Sequence, residues 1–334
     1  MPTPIHTIAI YRRLHTDNIC AVFLLQEFGE NLFPGITEAN VVLWDKVPDG
    51  KTADDFEKEG YLLVDMGNGK FDHHEEDHAQ KTECASTLIA KYLKIDEQPA
   101  LKKLLTFVKR DDLEGRGIVS KDVIDRMFGL PALILNLAKT YPDNPEYVID
   151  IVKRLFQAHY YEQYRRTVLM PQELEQLKTD GKITIEKFNS GGERLVVVFV
   201  ESDSDTIAGF LRVYQEVSAD IVVIRKTTGH TNIITKDRKP RVNFKEMIAL
   251  LRTTESQKRN REVTNNKEIL EKPGRLDEVP EWYYDTAANS LQNGGAATNI
   301  EATKLSLDEI KNIVIKALPN ALPSRPQGVV TRGN

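Results

Sequence analysis

Tyr61-Leu62-Leu63-Val64-Asp65-Met66-Gly67-Asn68-Gly69-Lys70-Phe71-Asp72-His73-His74 is the stretch whose reading decides the fold. Four apolar residues with strand character run into an aspartate. A tight turn at Asn68-Gly69-Lys70 follows, and then a carboxylate with two imidazoles. Such groups are costly near a core unless something pairs with them. A buried strand that ends in Asp65 and returns as Asp72-His73-His74 therefore predicts a set of metal ligands at one end of a sheet.

Reading toward the N-terminus, residues 5–11 form a first strand, and His15-Thr16-Asp17-Asn18 opens a helix. Asn18 or Asp17 can cap it, because a short polar side chain satisfies free amides of the first turn. Val41-Val42-Leu43-Trp44 reads as a second strand and 61–65 as the third, with a polar connection at 54–59. Helices follow at 82–93 and 101–108, the latter running into Lys109-Arg110-Asp111-Asp112-Leu113-Glu114-Gly115. Strands alternating with helices predict an α/β fold, a parallel sheet with helices on both faces. Ligands in such sheets gather beyond the carboxyl ends of the strands, where His15, Asp17 and Asp65 fall.

The remainder divides into helices near 120–140 and 145–168, then a second α/β segment. The reading predicts a catalytic domain at 1–144, a connecting helix and linker at 145–181, a smaller substrate-binding domain at 182–320 and a flexible tail at 321–334. Within the second domain, strands are expected at 183–185, 195–200, 221–224 and 232–235, and helices at 206–217, 244–251 and 307–317. The polar stretch 254–280 shows no clear period, and Gly294-Gly295-Ala296-Ala297 is a side-chain-poor turn.

Bulk properties narrow the function. At 334 residues, 40% hydrophobic, 28% charged and with net charge −5, the chain has no global basic field for nucleic acid. Cys20 and Cys84 form no Cys-x-x-Cys pair, which speaks against a disulfide framework or a cysteine zinc site. No run of about 18 apolar residues suggests a membrane span, and the N-terminus lacks a signal-peptide layout, so a cytoplasmic protein is expected. One segment departs from the average. Between Arg225 and Arg261 lie eleven Lys or Arg and three acids, a local +8 that could bind phosphate.

Four of the seven histidines, His15, His73, His74 and His78, lie in two loops. Any one alone reads as a surface or capping residue; together with Asp17, Asp65 and Asp72 they read as ligands. Carboxylates mixed with imidazoles favour Mn²⁺, Mg²⁺ or Fe²⁺ over a structural zinc. Two such ions, about 3.5–4 Å apart, would activate a water and stabilise a phosphoryl oxygen. His74 could instead contact the phosphate or protonate a leaving oxygen, with Asp72 as its catalytic neighbour.

Asp72-His73-His74 after a strand ending in Asp65, with His15-Thr16-Asp17-Asn18-Ile19-Cys20-Ala21 after the first strand, resembles the DHH phosphoesterase superfamily. That superfamily includes RecJ-type exonucleases, oligoribonucleases, cyclic-dinucleotide phosphodiesterases and manganese-dependent inorganic pyrophosphatases. The resemblance implies an N-terminal catalytic domain, a smaller C-terminal substrate domain, a long helix between them and two metals, usually manganese. It implies that Asp17 and Asp65 are metal ligands, Asp65 as the bridge, with His73 on the metal and His74 toward substrate. His15 stands where many members have Asp, a His-x-Asp variant, and the usual first-motif histidine falls on Tyr11. The fourth motif is an Asp after a helix, Asp111 or Asp112, with Asp112 favoured by its Asp-Leu-x-Gly context. Gly294 and Gly295 resemble the glycines of a substrate loop whose histidine is absent; His230 could take its place or be a hairpin residue, and Arg225 and Lys226 begin the basic segment. The expected activity is metal-dependent hydrolysis of a phosphodiester or phosphomonoester in a nucleotide or short oligonucleotide. The alternatives are a non-catalytic nucleotide- or nucleic-acid-binding protein on a degenerate scaffold, and an inorganic pyrophosphatase. A homodimer is left open.

Overall fold

The computed structural model describes residues 3–74, 82–115, 121–294 and 299–323. It is a mixed α/β structure of two units, residues 1–169 and 170–334. Residues 171–181, expected as linker, lie instead inside the second unit and are mostly helical. Their polar spacing reflects one wet helix face, with Leu174 and Leu177 buried on the other.

In the first unit, strand β1 (Thr7–Tyr11) leads to helix α1 (Thr16–Phe28), β2 (Asn40–Trp44), α2 (Ala53–Lys58) and β3 (Tyr61–Leu63). Helices α3 (Ala85–Tyr92), α4 (Lys102–Glu114), α5 (Val123–Met127), α6 (Leu130–Thr140) and α7 (Pro145–Tyr164) follow. The three strands form one parallel sheet in the order β2-β1-β3, with Ile8 opposite both Val41 and Leu62.

The pleat sends alternate side chains to opposite faces. Ile8 and Ile10 join a core with α1, α3, α4 and α7, whereas Ala9 and Leu63 pack with Phe56 of α2. Both faces are covered, unequally: five helices, α6 among them through Ile134, share one core and a single short helix serves the other. Helix α1 is buried on every side from Ile19 to Leu25. A helix apolar all round belongs in an interior. Each such large side chain stabilises by about 1.5–3 kcal/mol relative to exposure.

The second unit begins with α8 (Met170–Thr179), reached from α7 through a π turn at Arg165–Leu169. Its strands are β4 (Ile183–Ser190), β5 (Glu193–Glu201), β6 (Ile221–Arg225), β7 (Thr231–Thr235), β8 (Gly274–Leu276), β9 (Val279–Asp285) and β10 (Ser290–Gln292). They form one mixed sheet in the order β4-β5-β6-β7-β10-β9-β8. Helices α9 (Ile207–Val213), α10 (Lys245–Lys258), α11 (Lys267–Leu270) and α12 (Leu307–Ala317) complete it. Val197 and Phe199 of β5 face the core of α10 and α12, while Val198 and Val200 face the core of α8 and α9. The stretch 254–280, which carries no period, holds the end of α10, α11 and the edge strand β8, elements too short to write one. Of the tail expected from residue 321, Ala321 and Leu322 are instead buried in the second core, and 324–334 lie outside the described residues. No helix among the described residues is long and apolar enough to cross a membrane.

Candidate metal centre

The segments after β1 and β3 leave the same end of a parallel sheet, so their side chains converge. His15 is the N-cap of α1, in extended conformation. Asn18, one of the two expected caps, sits on the third helical residue and works from inside. Its Oδ1 accepts from the His15 N–H at 3.0 Å and its Nδ2 donates to the Arg13 carbonyl at 3.0 Å. That is the reciprocal half of a capping box.

Asp17 does not cap its own helix. Its two oxygens accept the N–H groups of Ala85 and Ser86, each at 2.9 Å, and these are the first two residues of α3. The Ser86 hydroxyl donates to the Asp17 carbonyl at 2.9 Å. A fully buried carboxylate is thereby satisfied by free amides at a helix N-terminus, where the helix dipole also favours negative charge.

Asp65 lies two residues beyond β3 with φ of 60°, a left-handed conformation that Asp tolerates better than most residues. The turn that follows needs Gly67, at φ 79°, since a Cβ there would meet Leu63 Cδ2 at 2.7 Å. Asp65 N–H donates to the Phe71 carbonyl at 3.0 Å, closing the turn. Lys70 pins it from outside, with Nζ 4.9, 5.7 and 5.1 Å from the ring centroids of Phe33, Phe71 and Tyr92 and 2.7 Å from Glu57.

Around Asp65 the imidazoles gather. His15 Nε2 is 3.2 Å from Asp65 Oδ2, and His73 Nε2 is 3.1 Å from Asp65 Oδ1. Asp112 completes the group, 3.4 Å from His73 Nε2 and 3.9 Å from His15 Nδ1. His74 Nδ1 lies 3.6 Å from Asp65 Oδ1, but its closer partner is Asp72, at 2.8 Å.

Helix α4 extends through Glu114, so Asp111 and Asp112 occupy its last turn rather than a loop after it. The polar run hid this, because the final turn faces the site and not the core. Consecutive residues diverge by about 100° around a helix. Asp112 therefore meets His15 and His73, while Asp111 accepts the Thr16 hydroxyl.

Two groups of ligand atoms, Asp65-His73-His74 and Asp17-His73-Asp112, each lie within 4.8 Å of one another. A cation with bonds of about 2.1–2.4 Å spans roughly that distance. Asp72 is in neither group. Its Oδ2 accepts the Asn68 N–H at 2.8 Å and its Oδ1 accepts the His74 N–H at 3.1 Å, so it holds the turn and orients His74.

The electrostatics are those of a crowded anionic nest. Burial pushes the Asp65 carboxyl up, yet His15 and His73 overcome this and hold it at about 2. Burial works against the charged form of His15, but Asp65, with Asp17 and Asp112, raises its imidazole above the ordinary range. Asp65 raises His73 in the same way, against its burial. Burial and the Asp17 carboxylate push Asp112 up to about 6, with His73 and His15 pulling back.

Asp65 Oδ1 and His73 Nε2 are close, but among the described residues neither makes a hydrogen bond of good geometry, and His73 Nδ1 has none. Their contact is charge attraction between two misaligned groups. Buried polar atoms without hydrogen bonds call for a partner such as an ion. Carboxylate oxygens and imidazole nitrogens are the donors that Mn²⁺ or Mg²⁺ accepts, so these residues fit a divalent cation.

The other sequence candidates lie in the second unit. Both ring nitrogens of His230 are engaged, Nδ1 with the Thr228 hydroxyl at 2.9 Å and Nε2 with the Ile300 carbonyl at 3.0 Å, which makes it a hairpin tie. Arg225 donates to the Leu305 carbonyl at 2.8 Å and Lys226 pairs with Asp205 at 2.6 Å. Gly294 has φ of 67°; Gly295, like His78, lies outside the described residues.

The +8 segment is largely neutralised by folding. Arg238 meets Glu193 and Asp220, Arg259 meets Glu255, Glu281 and Glu301, Arg261 meets Glu281, and Lys258 meets Glu309. Arg252 is fully buried against the carbonyls of Leu270, Lys272, Gly274 and Trp282. Counting charge along the chain could not see partners brought from elsewhere. Sequence reasoning also missed the Ala85 and Ser86 amides and Lys70, whose partners are remote in the chain and follow no motif.

No family model matches the chain, and no curated protein matches it. Among solved structures, the chain is similar to an uncharacterized protein from Helicobacter pylori G27. The match has 10% identity and a TM-score of 0.26, and covers 94% of this chain and 99% of that one. At that score the similarity carries no argument about fold or function.

Proposed function

We propose that this protein is a metal-dependent phosphoesterase of the DHH type, hydrolysing a phosphoester of a nucleotide or short oligonucleotide. The observation that carries the reading is the convergence of His15, Asp17, Asp65, His73 and Asp112, with Asp65 Oδ1 and both His73 nitrogens buried and, among the described residues, without hydrogen bonds. Asp65, with one oxygen 3.2 Å from His15 and the other 3.1 Å from His73, is the carboxylate suited to bridge two adjacent ions, manganese first and magnesium second. Bound divalent cations supply Lewis acidity toward the phosphate and a more acidic water.

The chain's own residues supply the rest. Asp65, low in pKa, stays anionic to bind cations. Asp72 holds His74 Nδ1, which leaves Nε2 for a phosphate oxygen or for proton delivery to the leaving oxygen. Half of the His74 side chain is exposed, so substrate can reach it. The rings of Tyr11 and His74 meet edge to face, 6.5 Å between centroids.

Manganese-dependent hydrolysis of bis(p-nitrophenyl) phosphate tests the reading. We expect Asp65→Ala and His73→Ala to lose at least ~100-fold in rate, since each removes a group that the ions require. Metal bound without turnover of any phosphoester would sink it. A second reading, a non-catalytic nucleotide binder, is favoured by Tyr11 standing where the family resemblance calls for a histidine. Protein that binds nucleotide tightly while free of metal would support it. A pyrophosphatase is less supported, because most arginines of the basic segment are held by carboxylates and carbonyls.

A further inference from the structure

Helices α4, α6 and α7 form an apolar trough in the first unit. Two adjoining cavities of about 440 and 390 Å³ share Leu130 and Leu155. Along α7 the trough runs from Ile151 to His159, about 12 Å at the 1.5 Å rise of a helix. Leu155, at its middle, is 51% exposed. Concave apolar surface of this size is what a small-molecule site presents.

Charge stands at one end only. The larger cavity has no charged side chain in its lining, whereas the smaller has Lys103 and His159. No carboxylate among the described residues lines either cavity. Neither Lys103 nor His159 makes a hydrogen bond or an ion pair among the described residues. Each acts on the other instead. Loss of water lowers the pKa of the His159 imidazole, and the Lys103 ammonium lowers it further. An anion placed between them would relieve that repulsion.

We propose that the trough binds a single-chain amphiphile with an anionic head, a long-chain carboxylate, its tail along Leu155 and its head at Lys103 and His159. The charge pattern selects this occupant. An apolar protein face would leave the two cations without a partner, and a fully apolar ligand would do the same. Each methylene that the trough takes out of water should tighten binding by about 3- to 4-fold.

Calorimetric titration of the full chain with octanoate, decanoate and dodecanoate tests this. Each ligand is kept below its micelle concentration, and chelator is present so that no carboxylate binds through a metal. One site per chain is expected, with affinity rising roughly 10-fold at each step of two methylenes. Dodecyltrimethylammonium, with the same tail and a cationic head, should bind at least ~10-fold more weakly than dodecanoate. Lys103→Glu should reverse that order. Leu155→Asp should weaken dodecanoate and flatten the dependence on chain length. Both side chains are exposed, and circular dichroism checks that each variant is folded.

Absence of saturable dodecanoate binding would overturn the proposal. So would equal affinity for the two heads, or a preference for the anionic head that survives Lys103→Glu. Binding to vesicles of anionic phospholipid with none to monomeric dodecanoate would overturn it as well, in favour of a lipid surface. If Leu155→Asp unfolds, the head-group comparison in wild type and Lys103→Glu decides alone.

Discussion

Asp112 shows how one residue carries the conflict built into the site. Its folded pKa of about 6 stands above that of an exposed aspartate because burial and Asp17 oppose its charge. A raised carboxyl favours folding at low pH, and the benefit is lost as pH rises from the unfolded value of about 3.9 through the folded one. Metal-free protein should therefore lose stability between about pH 4 and pH 6 on this account. Asp112→Asn should remove that loss, leaving metal-free protein more stable at pH 8 by up to about 2 kcal/mol, while weakening manganese binding. Urea denaturation at pH 5 and pH 8 with chelator present checks it. An Asn variant less stable than wild type at pH 8 would contradict the account.

At the scale of the element, the turn between β3 and Asp72 is the part on which the site depends. It combines left-handed residues at Asp65, Gly67 and Asn68 with a fully buried Phe71. Lys70, between three rings and Glu57, is what holds its outer side. Cation–π contacts contribute about 0.5–2 kcal/mol, more as the cation is desolvated. Lys70→Met should lower stability by about 1–2 kcal/mol and weaken manganese affinity several-fold; Lys70→Arg should retain most of both. Calorimetric titration beside thermal melting separates the effects. If Met substitution lowers the melting temperature and leaves affinity untouched, Lys70 is structural only.

Across the whole molecule, charge counted along the sequence and charge after folding disagree. The segment 225–261 looks like a phosphate-binding surface, yet the Arg259 side chain is 4% exposed and bridges Glu255, Glu281 and Glu301. Removing one partner of a buried ionic group costs about 3–5 kcal/mol; here Glu281 keeps Arg261, Glu255 keeps Thr303 and Lys304, and Glu301 is exposed, which points to the low end of that range. We expect Arg259→Ala to destabilise the second unit by about that much, measured by urea denaturation. A fully stable variant with weakened nucleotide binding would restore the sequence-based reading of this arginine.

The chain by itself determined the parallel β-α alternation of the first unit, because apolar runs with period 2 and helical spacing are local records of burial. It also located candidate ligands, since Asp65 and Asp72-His73-His74 follow a buried strand and group imidazoles with carboxylates. Tertiary structure alone decided which of them meet. It turned Asp112 inward and Asp111 toward Thr16, gave Asp17 the amides of α3, and engaged His230 and the arginines elsewhere. The reason is range: a hydrophobic period is written in neighbouring residues, whereas hydrogen bonds and ion pairs are made between residues tens of positions apart, and only the folded chain brings them together.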